Sequence, residues 1–217
     1  MTSRLVLNSL WIGATLPALC QLCLASALAV GHRVRLFVYG PVADVPAGVE
    51  VLAADDILPR DSIVLHRRTG SPAFFSDRFR ITLIAKGLGL WTDTDVLYLK
   101  PIDIDSPNIF AWEDHRLVGS SVLGLDHTSS AFASLFGMVH DLSMLPPWYP
   151  AHKRLWYRLR AAAGSPHDTA NLPWGVIGPD LITWWVKNKG LERDILPRAV
   201  FYPVSYGKRR DLHSAAK

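Results

Sequence analysis

Hydrophobic and polar positions along the chain switch between two periods, and the alternation predicts strands and helices in turn. The segment Leu5 to Ile12 predicts a strand, Pro17 to Val30 predicts a helix that stops at Gly31, and RVRLFVYG predicts a second strand. A strand, a helix and a strand within about 40 residues form a parallel crossover unit. The first part of the chain therefore indicates an α/β fold.

The same two patterns continue along the rest of the chain. They predict strands at Val49 to Ala53, Val96 to Leu99, RLVGSSVLGL and AVFYPVSY, and helices at Ser71 to Lys86, Ala131 to Leu145, His152 to Ala163 and Asp180 to Lys189. Phe75, Phe79 and Leu83 recur every four residues, so they should face the core. We expect one α/β domain over residues 1–217, with a mostly parallel central sheet flanked by helices.

Composition narrows the class of protein. Hydrophobic residues make up 49% of the 217 residues and charged residues 19%, which is typical of a globular chain. The 23 Lys and Arg against 19 Asp and Glu give a net charge of +4, which suits an anionic ligand or surface. No helix-turn-helix, zinc-finger or RNP pattern is present, so nucleic acid is not an expected partner.

The apolar stretch LPALCQLCLASALAV raises the question of targeting. Its small residues resemble a secretory signal, but the wider run is interrupted at Asn8, Gly13, Pro17 and Gln21. No uninterrupted apolar segment approaches the ~20 residues of a membrane span. We expect a soluble, cytoplasmic protein, with Cys20 and Cys23 as buried thiols on one helix face.

Two acids, Asp93 and Asp95, interrupt the apolar run that follows the predicted helix at Ser71 to Lys86. Alternate residues of a strand point to the same face, so both carboxylates would converge on one spot. Like charges so placed need a cation, and magnesium or manganese prefers such oxygen ligands. A turn whose carboxylates cap backbone amides is the alternative.

Asp77 and Arg80 stand three residues apart on the preceding helix. One interpretation is a local ion pair on the helix surface, worth ~0.2–0.5 kcal/mol. The alternative is that the pair and the two acids of the D-x-D line one cleft, because the short turn GLGLW joins this helix to Asp93.

The run from S-D-x-x-R to D-x-D, with sixteen residues from Asp77 to Asp93, resembles the sugar-nucleotide site of glycosyltransferases of the GT-A fold. Within that fold it is most similar to the group containing yeast-type mannosyltransferases, α-1,4-galactosyltransferases and, more distantly, glucosylating toxins. The segments SLWIG, GPDLIT and FYPVSY resemble further stretches of this family. The resemblance implies a GT-A type, Rossmann-like domain.

The resemblance also implies roles for particular residues. Asp95 would ligate a divalent metal, manganese or magnesium, directly, while Asp93 would contact ribose, sugar or a metal-bound water and complete the metal pair. Asp77 and Arg80 would hold hydroxyls of the donor sugar, and Arg80 would also approach phosphate. The stacking walls of the donor site would be Trp11, under a uracil or guanine base, and Trp91, where the family favours tyrosine.

The implied reaction is metal-dependent transfer of a hexose from a nucleotide sugar, a UDP-sugar in the simplest case, to a saccharide or lipid-linked acceptor. Family members retain the anomeric configuration, with the leaving diphosphate as base. The acceptor would enter over residues 167–178. Family members carry a C-terminal histidine or tryptophan that completes the metal site, and His213 is the nearby candidate in this chain, although its context differs.

Two other functions use similar residues. Phosphatases of the haloacid dehalogenase type also carry D-x-D, but with threonine or valine where Leu97 stands and at the end of the first strand. A non-catalytic protein that binds a nucleotide sugar is the second alternative, since the C-terminal segment of the family is missing or altered here. Phosphatase assays and donor-turnover assays separate the three.

The helix around HKRLWYRLR is basic and aromatic. The simplest interpretation is a solvated charged face with Leu155, Trp156 and Leu159 buried. The alternative is peripheral docking on the anionic inner face of a membrane, where a glycolipid acceptor would be met.

Overall fold

The computed structural model describes residues 5–67, 69–173 and 175–204 of the chain. In this part of the chain the strands and α-helices follow in the order β1 (Val6–Trp11), α1 (Ala18–Ala29), β2 (Arg33–Val38), β3 (Glu50–Ala53), α2 (Ala73–Ala85), β4 (Leu90–Thr92), β5 (Val122–Leu123), α3 (Ser130–His140), α4 (Ala151–Ala162) and α5 (Leu181–Asn188).

The five strands form one sheet in the order β3-β2-β1-β4-β5. All neighbouring pairs are parallel except the last, in which β5 runs antiparallel to β4. The predicted α/β fold with a mostly parallel sheet is confirmed. Because β1 and β4 are parallel neighbours, their carboxyl ends, with Trp11 and Asp93, meet at the same edge of the sheet.

The sheet separates two hydrophobic clusters. One contains Cys20 and Leu24 of α1 and covers one face, while α2, α3 and α5 contribute to the cluster on the other face. Phe75, Phe79 and Leu83 are fully buried in this second cluster, as their spacing predicts. Cys20 and Cys23 are buried free thiols, also as predicted. Burial on both faces fixes the sheet between layers of helices.

The chain enters β4 through a tight turn that sets the position of Asp93. Asn8 of β1 is fully buried, and its Nδ2 donates to the carbonyl oxygens of Leu88 at 3.1 Å and Leu90 at 3.0 Å. Gly89 has φ +114°, and a Cβ there would lie 2.7 Å from the carbonyl oxygen of Val6. Only glycine fits this backbone, so the turn holds β4 against β1.

Two predicted strands are wrong. The strand in this region is β4, which precedes the two acids, and the segment Val96 to Leu99 that follows them is not a strand. Its Tyr98 N–H donates to Ser26 Oγ of α1 at 2.8 Å rather than to a neighbouring strand. The described part of AVFYPVSY contains a 3-10 turn at Arg198–Val200, and Tyr202 N–H bonds back to the carbonyl of Arg198 at 2.8 Å. The remainder of that predicted strand lies outside the described residues.

The interpretation of α4 as a helix that buries its apolar residues is also wrong. Leu155, Trp156 and Leu159 are 55%, 51% and 62% exposed. The part of the helix that contacts the body is Tyr157, whose ring lies beside those of Tyr149 and His167. A search of the described residues for a helix long and apolar enough to cross a bilayer finds none.

Candidate functional site

The D-x-D motif lies at the carboxyl end of β4, in the turn that leaves the strand. Asp93 N–H donates to the carbonyl oxygen of Ser121 at 2.8 Å, and the chain turns at Thr94 and Asp95. The two acids therefore sit at a sheet edge rather than along a strand. Ligands of open parallel sheets bind at this edge, outside the carboxyl ends of the strands.

Arg80 connects α2 to this edge. Its Nη1 donates to the carbonyl oxygen of Ser120 at 2.6 Å, and its Nη2 lies 3.2 Å from Asp93 Oδ1 and 3.5 Å from Asp77 Oδ1. The guanidinium also lies 5.0 Å from the ring centroid of Trp91. Its side chain is 8% exposed and that of Asp77 is 13% exposed. The helical pair thus belongs to a buried network and is more than a local surface ion pair.

Trp91 is a core residue that also positions the motif. Its indole Nε1 donates to Asp93 Oδ1 at 2.7 Å, and its ring packs against Phe79. Asp93 Oδ1 therefore accepts from both Trp91 and Arg80. Two donors on one oxygen fix the carboxylate and leave Oδ2 as the oxygen for a ligand.

One cleft of about 430 Å³ brings together the six residues that were predicted for the donor and metal sites and that lie in the described part of the chain. These are Trp11, Asp77, Arg80, Trp91, Asp93 and Asp95. They come from β1, α2 and the end of β4, which explains how residues far apart in the sequence converge. Their individual roles remain predictions.

The cleft also contains residues that the sequence did not indicate. These are Glu113, Ser120 and Ser121, which lie in the chain before β5. Nothing local in the sequence marks them, because they reach the cleft through non-local packing. The hydrogen bond from Ser121 N to Tyr202 Oη, at 3.1 Å, ties this wall of the cleft to the FYP segment. Gly175 and Pro179 also line the cleft, and they belong to the predicted acceptor stretch 167–178 and to the GPDLIT segment.

The GPDLIT segment forms the wall next to Asp77. A Cβ on Gly178 would lie 2.9 Å and 3.0 Å from the two carboxylate oxygens of Asp77, so only glycine allows this approach. Thr183 holds the segment in place, since its Oγ1 donates to the carbonyl oxygen of Pro179 at 2.6 Å and accepts from Val118 N at 2.8 Å. The segment therefore keeps the Asp77 carboxylate enclosed.

Acidic side chains dominate the charge of the cleft. Burial raises the pKa of Asp77 to about 6, although the nearby Arg80 lowers it. Burial also raises the pKa of Asp95, and the neighbouring Asp93 carboxylate raises it further. Burial, together with Asp114 and Asp93, raises the pKa of Glu113. A cleft of crowded carboxylates with one arginine favours a cation among its ligands.

The donor set fits a hard divalent ion that is shared with a ligand. Among the described residues, no three His, Cys, Asp or Glu side chains converge closely enough to hold a metal by themselves. Asp93 and Asp95 offer two carboxylates, which is the number that magnesium sites commonly use when phosphate and water supply the other ligands. His213 lies outside the described residues.

A second cavity, of about 300 Å³, adjoins the cleft. Asp77, Ala73 and Gly175 line both. The rest of its wall is mostly apolar and includes Phe74 and Val176. Asp77 thus stands between an acidic cleft and an apolar cavity.

Fold and site together define an α/β protein with an acidic cleft at the carboxyl edge of a mostly parallel sheet. No protein-family model and no curated protein matches the chain. Among solved structures, the PaToxG glycosyltransferase is similar, with 12% sequence identity and a TM-score of 0.46, over 96% of this chain and 77% of that one. At this identity and score the match carries no inference about activity.

The enclosed Asp77 carboxyl should make the stability of the protein depend on pH. Its pKa is about 6 in the folded state against an ordinary 3.8, so the folded protein loses stability as the pH rises between these values. We expect Asp77→Asn to raise the free energy of unfolding by ~2 kcal/mol at pH 8 and to match the wild type near pH 4. Urea denaturation at both pH values measures this.

The exposed Asp103 provides the matched control. Asp103→Asn should leave the free energy of unfolding within about 0.5 kcal/mol of wild type at both pH values. An equal offset of Asp77→Asn from wild type at pH 4 and pH 8 would contradict the raised pKa of Asp77.

Proposed function

We propose that the chain is a divalent-metal-dependent glycosyltransferase, built as one domain of GT-A type, which transfers a hexose from a nucleotide sugar to a saccharide or lipid-linked acceptor. The observation that carries the proposal is the single cleft in which β1, α2 and the end of β4 bring together the S-D-x-x-R pair and the D-x-D acids. The two motifs are in direct contact, because Arg80 Nη2 donates to Asp93 Oδ1 at 3.2 Å.

The donor would lie along the carboxyl edge of the sheet. Trp11, at the end of β1, is partly exposed and gives a flat surface for the base of a UDP-sugar. Asp77 and Arg80 would bind hydroxyls of the sugar. The Nε of Arg80 is buried without a hydrogen-bond partner in the described part of the chain, so a water or ligand oxygen would satisfy it.

The metal would be held by Asp95, with Asp93 as the second ligand. A diphosphate is repelled by the carboxylates of this cleft, so donor binding requires added positive charge. When bound, manganese or magnesium would neutralise the negative charge that develops on the leaving diphosphate. The bonds from Arg80 and Trp91 to Asp93 Oδ1 would hold that carboxylate in one orientation during the reaction.

The acceptor would enter through the apolar cavity beneath residues 169–177. Asp77 lies in the wall that this cavity shares with the donor cleft, so a hydroxyl beside Asp77 would reach a sugar bound by Arg80. We propose transfer with retention, in which the acceptor attacks on the face of the leaving diphosphate and the diphosphate takes the proton. Apolar walls around the hydroxyl site exclude water, which would otherwise compete as acceptor.

The experiment is a panel of nucleotide sugars incubated with the purified chain, manganese and simple saccharide or lipid acceptors. We expect release of nucleoside diphosphate from one donor class, with turnover lost on addition of EDTA and restored by excess manganese. Hydrolysis of p-nitrophenyl phosphate without turnover of any donor would overturn the proposal in favour of a phosphatase. Donor turnover that continues after addition of EDTA would also contradict the proposed metal dependence.

A nucleotide-sugar-binding protein without turnover is the second candidate. The hydrogen bonds of Asp93 favour this function. Its Oδ1 already accepts from Arg80 and Trp91, so this oxygen is less available to a metal. Calorimetry distinguishes the two functions. Heat of donor binding in the absence of any product supports binding alone.

A further inference from the structure

Helix α4 presents an apolar stripe to solvent. Leu155, Trp156 and Leu159 are at least half exposed, and at 100° per residue they share one side of the helix. Helices of water-soluble proteins normally turn this side to the core. In α5, by comparison, Trp185 and Val186 are fully buried.

Basic residues border the stripe on both sides. At 100° per residue, Arg158 falls on one side of it and Arg160 on the other, and both side chains are exposed. The sequence of the helix, AHKRLWYRLRAA, contains no acidic residue. The exposed half of α4 is therefore apolar along its centre and positively charged at both margins, which complements an anionic surface with an apolar interior.

The remaining face of α4 attaches the helix to the body. The ring of Tyr157 lies 6.4 Å from that of Tyr149 and 5.1 Å from that of His167, and Lys153 Nζ lies 3.5 Å from the Tyr149 centroid. The Nε of Arg154 is buried on the same side of the helix. These contacts fix the rotation of α4, so its stripe is held outward.

We propose that α4 is a docking helix for the surface of an anionic lipid bilayer. Its stripe would lie at the boundary of headgroups and acyl chains, with Trp156 at the depth that tryptophan prefers. The flanking Arg158 and Arg160 would meet lipid phosphates or carboxylates. A flat bilayer fits a straight, uncovered helix of about 18 Å that carries cations on both margins.

The second cavity lies close to α4 along the chain. The chain after α4 runs through His167 to the 3-10 turn Thr169–Asn171, which lines that cavity. If the proposed glycosyl transfer is correct, a lipid-linked acceptor becomes the substrate class, and this step alone rests on that function. Membrane binding itself is independent of any donor chemistry, so its failure and the failure of transferase activity are separate results.

Vesicle flotation of the purified chain tests the proposal. We expect binding to vesicles of about one-third phosphatidylglycerol and two-thirds phosphatidylcholine, and little binding to phosphatidylcholine alone. Leu155→Ala with Leu159→Ala should lower the partition coefficient about tenfold or more, and Arg158→Gln about fivefold. All three side chains are exposed, so these variants should keep the wild-type melting temperature.

Matched variants elsewhere on the surface distinguish binding through α4 from nonspecific adsorption of the protein to vesicles. Leu22→Ala removes a leucine of α1 that is 57% exposed, and Lys86→Gln removes an exposed cation after α2. Neither should change flotation by more than about twofold. Equal losses in these controls, or no flotation of the wild type with anionic vesicles, would overturn the proposal.

A labelled cysteine reports the depth of the helix. Cys20 and Cys23 are buried, so Leu159→Cys offers a selective attachment point for an environment-sensitive dye. We expect its emission to shift to the blue with anionic vesicles and to be quenched by lipid-borne quenchers. A blue shift that instead follows protein concentration in the absence of lipid would overturn the proposal and identify a second copy of the chain as the occupant.

Discussion

Asp95→Asn is expected to abolish metal-dependent transfer, with a loss of at least about a thousandfold in turnover, while the fold is kept. An amide is a far weaker ligand for manganese than a carboxylate, so the donor diphosphate would lose its counter-charge. Burial and the neighbouring Asp93 raise the pKa of Asp95. In the absence of a metal, the negative charge of Asp95 therefore destabilises the folded state. The melting temperature of the variant should therefore be equal to or above that of wild type.

Asp103→Asn is the control, because it removes the same charge from an exposed position outside the cleft. It should keep wild-type turnover and manganese affinity. Calorimetry with manganese and the active donor should detect binding in this control and none in Asp95→Asn. Wild-type turnover of Asp95→Asn under saturating manganese would remove Asp95 from the metal site.

The sequence predicted the helices and the first strands well because their signal is local. The spacing of Phe75, Phe79 and Leu83 places these residues in the core wherever α2 packs. The strand predicted over Val96 to Leu99 failed for the opposite reason. Its apolar composition is that of a strand, but pairing needs a partner, and Leu99 is 83% exposed while Tyr98 packs on α1.

The candidate site divides in the same way. Asp77, Arg80, Asp93 and Asp95 were found because two short motifs carry them, and the turn at Gly89 joins the motifs directly. The sequence does not predict Glu113 as a site residue, because AWEDHRL is typical of a surface turn. It reaches the cleft only through pairing and packing around β5, and such contacts leave no periodic signal in the sequence.

Arg80→Met is expected to destabilise the protein by about 3 kcal/mol at pH 8. The change leaves Asp77 and Asp93 without their shared cation and the carbonyl oxygen of Ser120 without its donor. The loss should be smaller at pH 5, because Asp77 is then protonated at its pKa of about 6. Urea denaturation at both pH values measures the difference.

Two further variants test whether the loss of stability comes from the Arg80 network rather than from the removal of any arginine. Arg33→Met breaks a surface pair with Glu50, in which the Arg33 side chain is 60% exposed, and should cost less than about 0.5 kcal/mol. At pH 8, Asp77→Asn should add more stability in the Arg80→Met background than in the wild type, because the amide then removes a charge that has lost its cation. An equal gain in the two backgrounds would contradict the coupling of Arg80 to Asp77. The coupling bears on function, because the arginine that neutralises the carboxylates of the cleft is also the one that we propose binds the donor.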